Sequence, residues 1–223
     1  MKLKSNDGFY PSLPGRTLEL GDYGYFDGSQ WCRMGNIERI SGFPIYLHVN
    51  EHKDCPNIYI LKDGHLKVDV AQKTGTAQNA DKSLISFSKD SGFYINGQVK
   101  LKKEYDSVGI EVKDFLCILE KNGIWKKNYF LVVAVAYSDS FITFLSKAKG
   151  AELELQANLS QGAPLKKLET GLKGEYKQNN VEIVNHIEGD SIDSMGGWFV
   201  KLNRTSFGKD REIKYRTDDI DLD

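Results

Sequence analysis

Tyr129 to Asn158 reads as three β-strands joined by two short turns, and no other stretch constrains the fold of this chain as tightly. Tyr129-Phe-Leu-Val-Val-Ala-Val-Ala-Tyr137 is apolar throughout, Ser138-Asp-Ser140 supplies a turn, and Phe141-Ile-Thr-Phe-Leu145 follows. After Lys147-Ala-Lys-Gly150, the run Ala151-Glu-Leu-Glu-Leu-Gln-Ala157 alternates apolar and polar residues with a period of two. A strand apolar at every position is buried on both faces, and an alternating one on a single face. The stretch therefore predicts a sheet whose centre is 129–137 and whose solvated margin is 151–157.

Turn dipeptides extend the β pattern to both sides. Thr17-Leu-Glu-Leu20, Tyr23-Gly-Tyr-Phe26 and Gln30-Trp-Cys-Arg-Met34 read as short strands, the last two flanking Asp27-Gly28. Asp-Gly between apolar runs predicts a hairpin, because a type I′ turn needs positive φ. A second such pair, Asp63-Gly64, separates Ile58-Tyr-Ile-Leu61 from Leu66-Lys-Val-Asp-Val70, with Pro44-Ile-Tyr-Leu-His-Val49 before them. Leu84-Ile-Ser-Phe87 and an alternating run from Phe93 to Leu101 follow, the latter with Phe93, Ile95, Val99 and Leu101 on one face and Tyr94, Asn96, Gln98 and Lys100 on the other. Glu175 to Val184 predicts a hairpin about Asn179-Asn180, and Gly197 to Leu202 and Glu212 to Tyr215 the last strands.

One helix stands out, at about 108–122. Val112, Phe115, Leu116, Ile118 and Leu119 form its apolar stripe, Asp106 or Ser107 can cap its start, and Gly123 is placed to end it. A weaker helical stretch is Leu165 to Leu172. The fold class is therefore α+β: a β-rich single domain over 1–217, mostly an antiparallel meander sheet with one packed amphipathic helix. Residues 71–82 are a mobile loop or weak boundary, and 218–223 an acidic tail.

The composition, 40% hydrophobic and 27% charged, is that of a globular protein with a real core. Thirty basic against 31 acidic residues leave no global field for a nucleic-acid backbone, so no dedicated nucleic-acid binding is expected. Met1 to Gly8 holds no apolar run of the secretory kind, and Cys32, Cys55 and Cys117 are odd in number and without repeated spacing. The expected compartment is the cytoplasm, without a disulfide framework.

Chemistry-bearing groupings are sparse. His48, Glu51, His52, Asp54 and Cys55 lie where a strand is expected to give way to a loop, and His48, His52 and Cys55 are the metal-ligand candidates. A tetrahedral zinc site wants four ligands, and no second cluster completes one, so no metal and no cofactor is expected. His65 reads as a hairpin-tip residue and His186 as part of a strand, and no Gly-x-Ser-x-Gly elbow is present. Gly21, Gly24 and Gly28 do not make a phosphate loop, since aromatic residues separate them and no helix follows. No catalytic residue is assigned.

Aromatic residues crowd the N-terminal region at Tyr10, Tyr23, Tyr25, Phe26 and Trp31, and Tyr23, Tyr25 and Trp31 are the partner-surface candidates. Lysines at 100, 102 and 103, at 126 and 127, at 147 and 149 and at 166 and 167 read as a solvated rim guarding sheet edges, or as a basic patch for phosphates or acidic head groups.

Leu119-Glu-Lys-Asn122, Trp125 and the run Tyr129 to Phe144 resemble the helix, buried strand and hairpin order of gasdermin N-terminal pore-forming domains, over about 105–157. The resemblance implies a soluble state whose amphipathic segments rearrange into a membrane β-barrel. Phe93–Leu101 and Ala151–Ala157 have lengths near the roughly 9–11 residues of a spanning strand. The expected function is a non-enzymatic binding or interaction module with a protein partner. The alternatives are a pore-forming or membrane-acting effector in a soluble state, and an enzyme whose site is assembled from distant residues.

Overall fold

The computed structural model describes residues 8–12, 17–28, 30–40, 47–53, 55–69, 82–106, 111–156, 159, 176–186, 192–204 and 211–215. In chain order the strands are β1 (Phe9–Pro11), β2 (Asp22–Asp27), β3 (Gln30–Asn36), β4 (Val49–Lys53), β5 (Ile58–Lys62), β6 (Gly64–Asp69), β7 (Lys82–Phe87), β8 (Phe93–Gly97) and β9 (Leu101–Tyr105). Helix α1 (Lys113–Lys121) follows. After it come β10 (Phe130–Ser138), β11 (Phe141–Ser146), β12 (Glu152–Leu155), β13 (Tyr176–Asn179), β14 (Val181–His186), β15 (Asp193–Arg204) and β16 (Arg211–Tyr215). The protein is thus β-rich and α+β, with antiparallel sheets and one α-helix among the described residues, as its sequence pattern predicts. Of the loop predicted at 71–82, Lys82 opens β7 and the rest lies outside the described residues, as do the helical stretch 165–172 and the tail 218–223.

The chain divides into two compact units, the first made of Met1–Cys55, Lys100–Tyr137 and Asp193–Asp223, the second of Pro56–Val99 and Ser138–Ile192. The first unit holds an eight-stranded sheet in the order β1-β15-β10-β2-β3, with β16 on β15 and β4 on β9, which itself pairs with β10. Its centre is β10, where Phe130 through Ala136 are all buried, in keeping with their unbroken apolar sequence. Helix α1 buries Leu116 and Leu119 and lies against β15 and β16, while Ile118 of its expected apolar stripe is 46% exposed.

The helix ends as its sequence predicts. Gly123 takes φ +72, its N–H donates to the Glu120 carbonyl at 3.0 Å, and the Ile124 N–H donates to the Leu119 carbonyl at 2.9 Å. That bond pair closes the last turn where only glycine sits without strain. At the other end Asp106 accepts from Asn50 Nδ2 at 2.9 Å, Ser107 lies outside the described residues, and no side chain caps the first regular turn at Val112.

In the second unit two four-stranded sheets, β14-β11-β8-β5 and β13-β12-β7-β6, carry the same order strand by strand. Four chain segments, 58–69, 82–97, 141–155 and 176–186, each bend once and enter both sheets, so the unit is one antiparallel meander folded over on itself. The bends fall at Asp63 (φ +50), at Ser88–Gly92, at Lys147–Gly150 (Gly150 φ +80) and at Asn180 (φ +54). Neighbouring bends are tied to one another: Ser88 N donates to Asp63 O at 2.8 Å, Ser146 N to Gly92 O at 2.9 Å, and Lys147 N to Asn180 O at 2.8 Å. Between the sheets lie Ile85, Phe87, Tyr94, Ile142, Phe144, Leu153 and Leu155, each under 3% exposed.

Several hairpins expected from sequence are corners instead. Asp63-Gly64 joins β5 to β6 and Asn180 joins β13 to β14, but the members of each pair lie in different sheets. Tyr129–Asn158 supplies its three strands to three sheets, β10, β11 and β12 each pairing with distant segments. The reason is that a short positive-φ turn reverses a strand only if its two arms find each other. Here each arm finds a longer-range partner, Phe144 opposite Tyr94 and Leu153 opposite Ile85. The run Phe93–Leu101 is likewise not one half-exposed strand: β8 is buried at all five positions and β9 begins at Leu101.

Thr17–Leu20 forms no strand, because its backbone bonds go elsewhere, Leu18 N to Ser194 Oγ at 3.0 Å and Glu19 N to Asp22 Oδ2 at 3.0 Å. The strand expected at 44–49 begins only at Val49, residues 44–46 lying outside the described set. No helix among the described residues is long and apolar enough to cross a membrane.

Candidate functional site

The β2–β3 hairpin organises the two most chemically distinctive regions of the first unit. Its pairing is regular from Asp27↔Gln30 to Gly24↔Arg33, then jumps to Tyr23↔Gly35. Met34 is therefore the extra residue of a β-bulge, without a partner across the strand, and is 53% exposed. Below the bulge Phe26 faces Trp31, their rings 5.0 Å apart, so the neighbouring pair Tyr25 and Cys32 points to the opposite face. Tyr25 and Cys32 are half-buried, and β3 ends the strand order of the sheet among the described residues.

Tyr23 is also half-buried, its ring 6.0 Å from Trp125 and 5.7 Å from Tyr129. Lys126 Nζ lies 5.8 Å from the Tyr129 ring centroid. Of the three sequence-selected aromatics, Tyr23 and Tyr25 thus border an apolar outer strip with Met34 and Cys32. Trp31 does not join them: it is 4% exposed and packs on Phe26 and Phe199. Met34 escaped the sequence reading, although glycines inside both strands, Gly24 and Gly35, are the signal that announces a bulge.

The second region is a buried carboxylate. Asp22 is fully enclosed, and Arg33 Nη2 at 2.7 Å, Asn36 Nδ2 at 3.0 Å and the Glu19 N–H at 3.0 Å all reach it. Arg33 and Arg39 share Glu19 at 2.8 and 3.2 Å, and Tyr105 donates its hydroxyl to Glu38 at 3.4 Å. Burial raises the Asp22 pKa above its ordinary value by more than Asn36, the Glu19 N–H and Arg33 lower it. Burial and the nearby Glu19, Asp22 and Glu51 push the Tyr137 hydroxyl up to about 12. The arrangement joins β2, β3 and the 19–21 turn as a lock, with its polar atoms committed to one another.

The lock has a pH signature. Native Asp22 holds its proton to higher pH than the unfolded chain does, so its contribution to stability is fully present below the ordinary carboxylate range and is lost as pH rises through the raised native pKa. Denaturant titrations across that range should give a stability difference between wild type and Asp22→Asn that shifts with pH in this sense. A difference constant with pH would contradict it.

The metal candidates are dispersed by strand geometry. β4 pairs with β9, so Glu51 meets Lys103 at 2.8 Å while His52 Nε2 meets Glu104 at 3.1 Å, and Lys102 shares that Glu104. His48 is exposed, Cys55 directs its thiol to the His52 carbonyl at 3.5 Å, and Asp54 lies outside the described residues. Among the described residues no group of three or more His, Cys, Asp or Glu side chains can hold a metal ion. The three cysteines are free thiols. His65 is exposed on β6 opposite Ser86, away from any hairpin tip, and His186 lies in β14 opposite Phe141.

Lys102, Lys103 and Lys147 follow the rim pattern, pairing along or across strands with Glu104, Glu51 and Glu182. Lys166 and Lys167 lie outside the described residues. Lys201 differs: half-buried on β15, it places Nζ 5.5 Å from the Phe130 ring centroid. No protein-family model matches this chain, and no curated protein matches it.

Proposed function

We propose that the chain is a non-enzymatic interaction module whose first unit receives a protein segment on the outer strip of β2–β3. The observation that carries this is the bulge at Met34, which lifts a large apolar side chain into solvent beside half-buried Tyr25, Cys32 and Tyr23 on the strand that ends the sheet among the described residues. A bulge is a built feature that re-aims a side chain, and a methionine in solvent gains nothing for the isolated fold. The strip is bordered by Lys126, so the fitting segment carries apolar anchors followed by carboxylates. The terminal strand offers such a segment main-chain pairing as well.

The test is selection of peptides from a random display library on the intact protein. Enriched sequences should combine aromatic or aliphatic anchors with acidic residues. Met34→Asp and Tyr25→Ser should each weaken their binding at least tenfold while leaving the circular dichroism spectrum unchanged, and exposed Met34→Asp should also leave the melting temperature unchanged. Peptides that bind these variants as tightly as wild type would overturn the assignment, as would a selection without enrichment.

A further inference from the structure

A second site lies on the face of the sheet that carries Phe26, Phe130 and Phe199. Phe26 and Phe130 are 5.3 Å apart edge to face, and Phe26 and Phe199 are 5.3 Å apart as well. Lys201 follows Phe199 by two residues on β15, so its side chain leaves the same face, and its ammonium sits over Phe130. In the β15–β16 register Lys201 stands directly opposite Lys214. Two ammonium groups across an antiparallel pair repel one another, which costs stability unless something neutralises them.

A third ammonium adds to the crowding. Lys127, exposed in the segment between α1 and β10, is near enough to act on Lys201 electrostatically. Burial first, and then Lys127, push the Lys201 pKa below its ordinary value. Of the three, Lys214 has an acid, Glu212 at 2.9 Å. Among the described residues no carboxylate pairs with Lys201 or Lys127. On β9 of the same unit, by comparison, Lys103 has Glu51 and Lys102 has Glu104.

We infer that Lys127, Lys201 and Lys214 form an anion site over the Phe130 ring, and that its ligand is a small soluble phosphate compound. A single carboxylate answers only one of the two charges that no described carboxylate meets. A dianionic phosphate answers both, and its several oxygens suit ammonium groups that approach as point charges from different elements. The aromatic floor removes water from one side of Lys201, which strengthens its attraction for the anion. The site does not depend on the β2–β3 strip and stands or falls separately from it.

The experiment is titration of the full chain with inorganic phosphate and with pyrophosphate at low ionic strength, followed by calorimetry and by the melting temperature. Saturable binding and a rise in melting temperature are expected for wild type, with pyrophosphate the tighter ligand. Lys201→Met, which keeps the packing over Phe130, should weaken binding at least tenfold, and Lys127→Ala, in an exposed segment, several-fold. Lys201→Met should also melt higher than wild type without ligand, because a repulsion has been removed. Absence of saturable binding, or equal affinity in wild type and in Lys127→Ala, would overturn the proposal. Binding to vesicles bearing a phosphomonoester lipid without binding of either soluble ion would overturn the soluble ligand.

Discussion

Gly24→Ala is expected to be the most damaging single-methyl change in the first unit, costing about 4 kcal/mol or more. A Cβ at this position would lie 2.0 Å from the Cys32 carbonyl oxygen, 2.9 Å from its carbonyl carbon and 3.1 Å from Arg33 Cα. All three are backbone atoms of the paired strand, so no rotamer change relieves the contact. Gly24 also pairs with Phe130 on its other side, which holds it in place between β3 and β10. The variant must open the bulge, and with it the Arg33 and Asn36 contacts to Asp22. Gly28→Ala is the control, since nothing lies within 4 Å of its Cβ and only its φ of +56 opposes a side chain. That strain is about 1–2 kcal/mol. Urea unfolding of the two variants separates the cases, and equal midpoints would show that β3 does not press on Gly24 as described.

Phe144→Ala should cost about 3–5 kcal/mol, the second large effect, because it empties the middle of the second unit. Phe144 is fully buried on β11 and stacks on Tyr94, its cross-strand partner, with ring centroids 5.2 Å apart and planes at 17°. The same cluster takes Leu153 and Leu155 from β12, beyond the bend at Lys147–Gly150. If the folded-over meander has one shared core, Phe144→Ala and Leu153→Ala should couple, their double variant departing from additivity by about 0.5–3 kcal/mol. Ile192→Ala, at a side chain 54% exposed, should move stability by less than about 0.5 kcal/mol. Strict additivity of the two core variants would argue for independent sheets.

Strand positions were legible in the sequence far better than strand partners. The apolar run at 129–137 and the alternation at 151–157 report burial, which is local; the first is β10, buried through Ala136, and the second holds its alternating burial over Glu152–Leu155 as β12. Asp63-Gly64 and Asn179-Asn180 report only that φ turns positive, which a sheet corner needs as much as a hairpin does. Choosing between them takes knowledge of long-range pairs such as Ile58↔Gly97 or Glu152↔Asn179, to which turn chemistry is blind.

The candidate sites divide in the same way. Tyr23 and Tyr25 were accessible as aromatic residues on a short strand, but their face, and the opposite face of Trp31, follow only from the register across the bulge. The Asp22 lock requires Arg33, Asn36 and the Glu19 N–H to converge once β2 and β3 have paired. Lys201 and Lys214 are unremarkable in a chain rich in lysine until the β15–β16 pairing sets them side by side.

The central claim, that the outer strip of β2–β3 receives a protein segment, is tested most directly by amide chemical-shift mapping with the tightest peptide from the display selection. Perturbations should be concentrated at Tyr23–Asp27 and Gln30–Asn36, and extend to Trp125 and Tyr129, which contact Tyr23. They should vanish in Met34→Asp. Shifts confined to the second unit, or unchanged in that variant, would contradict the claim.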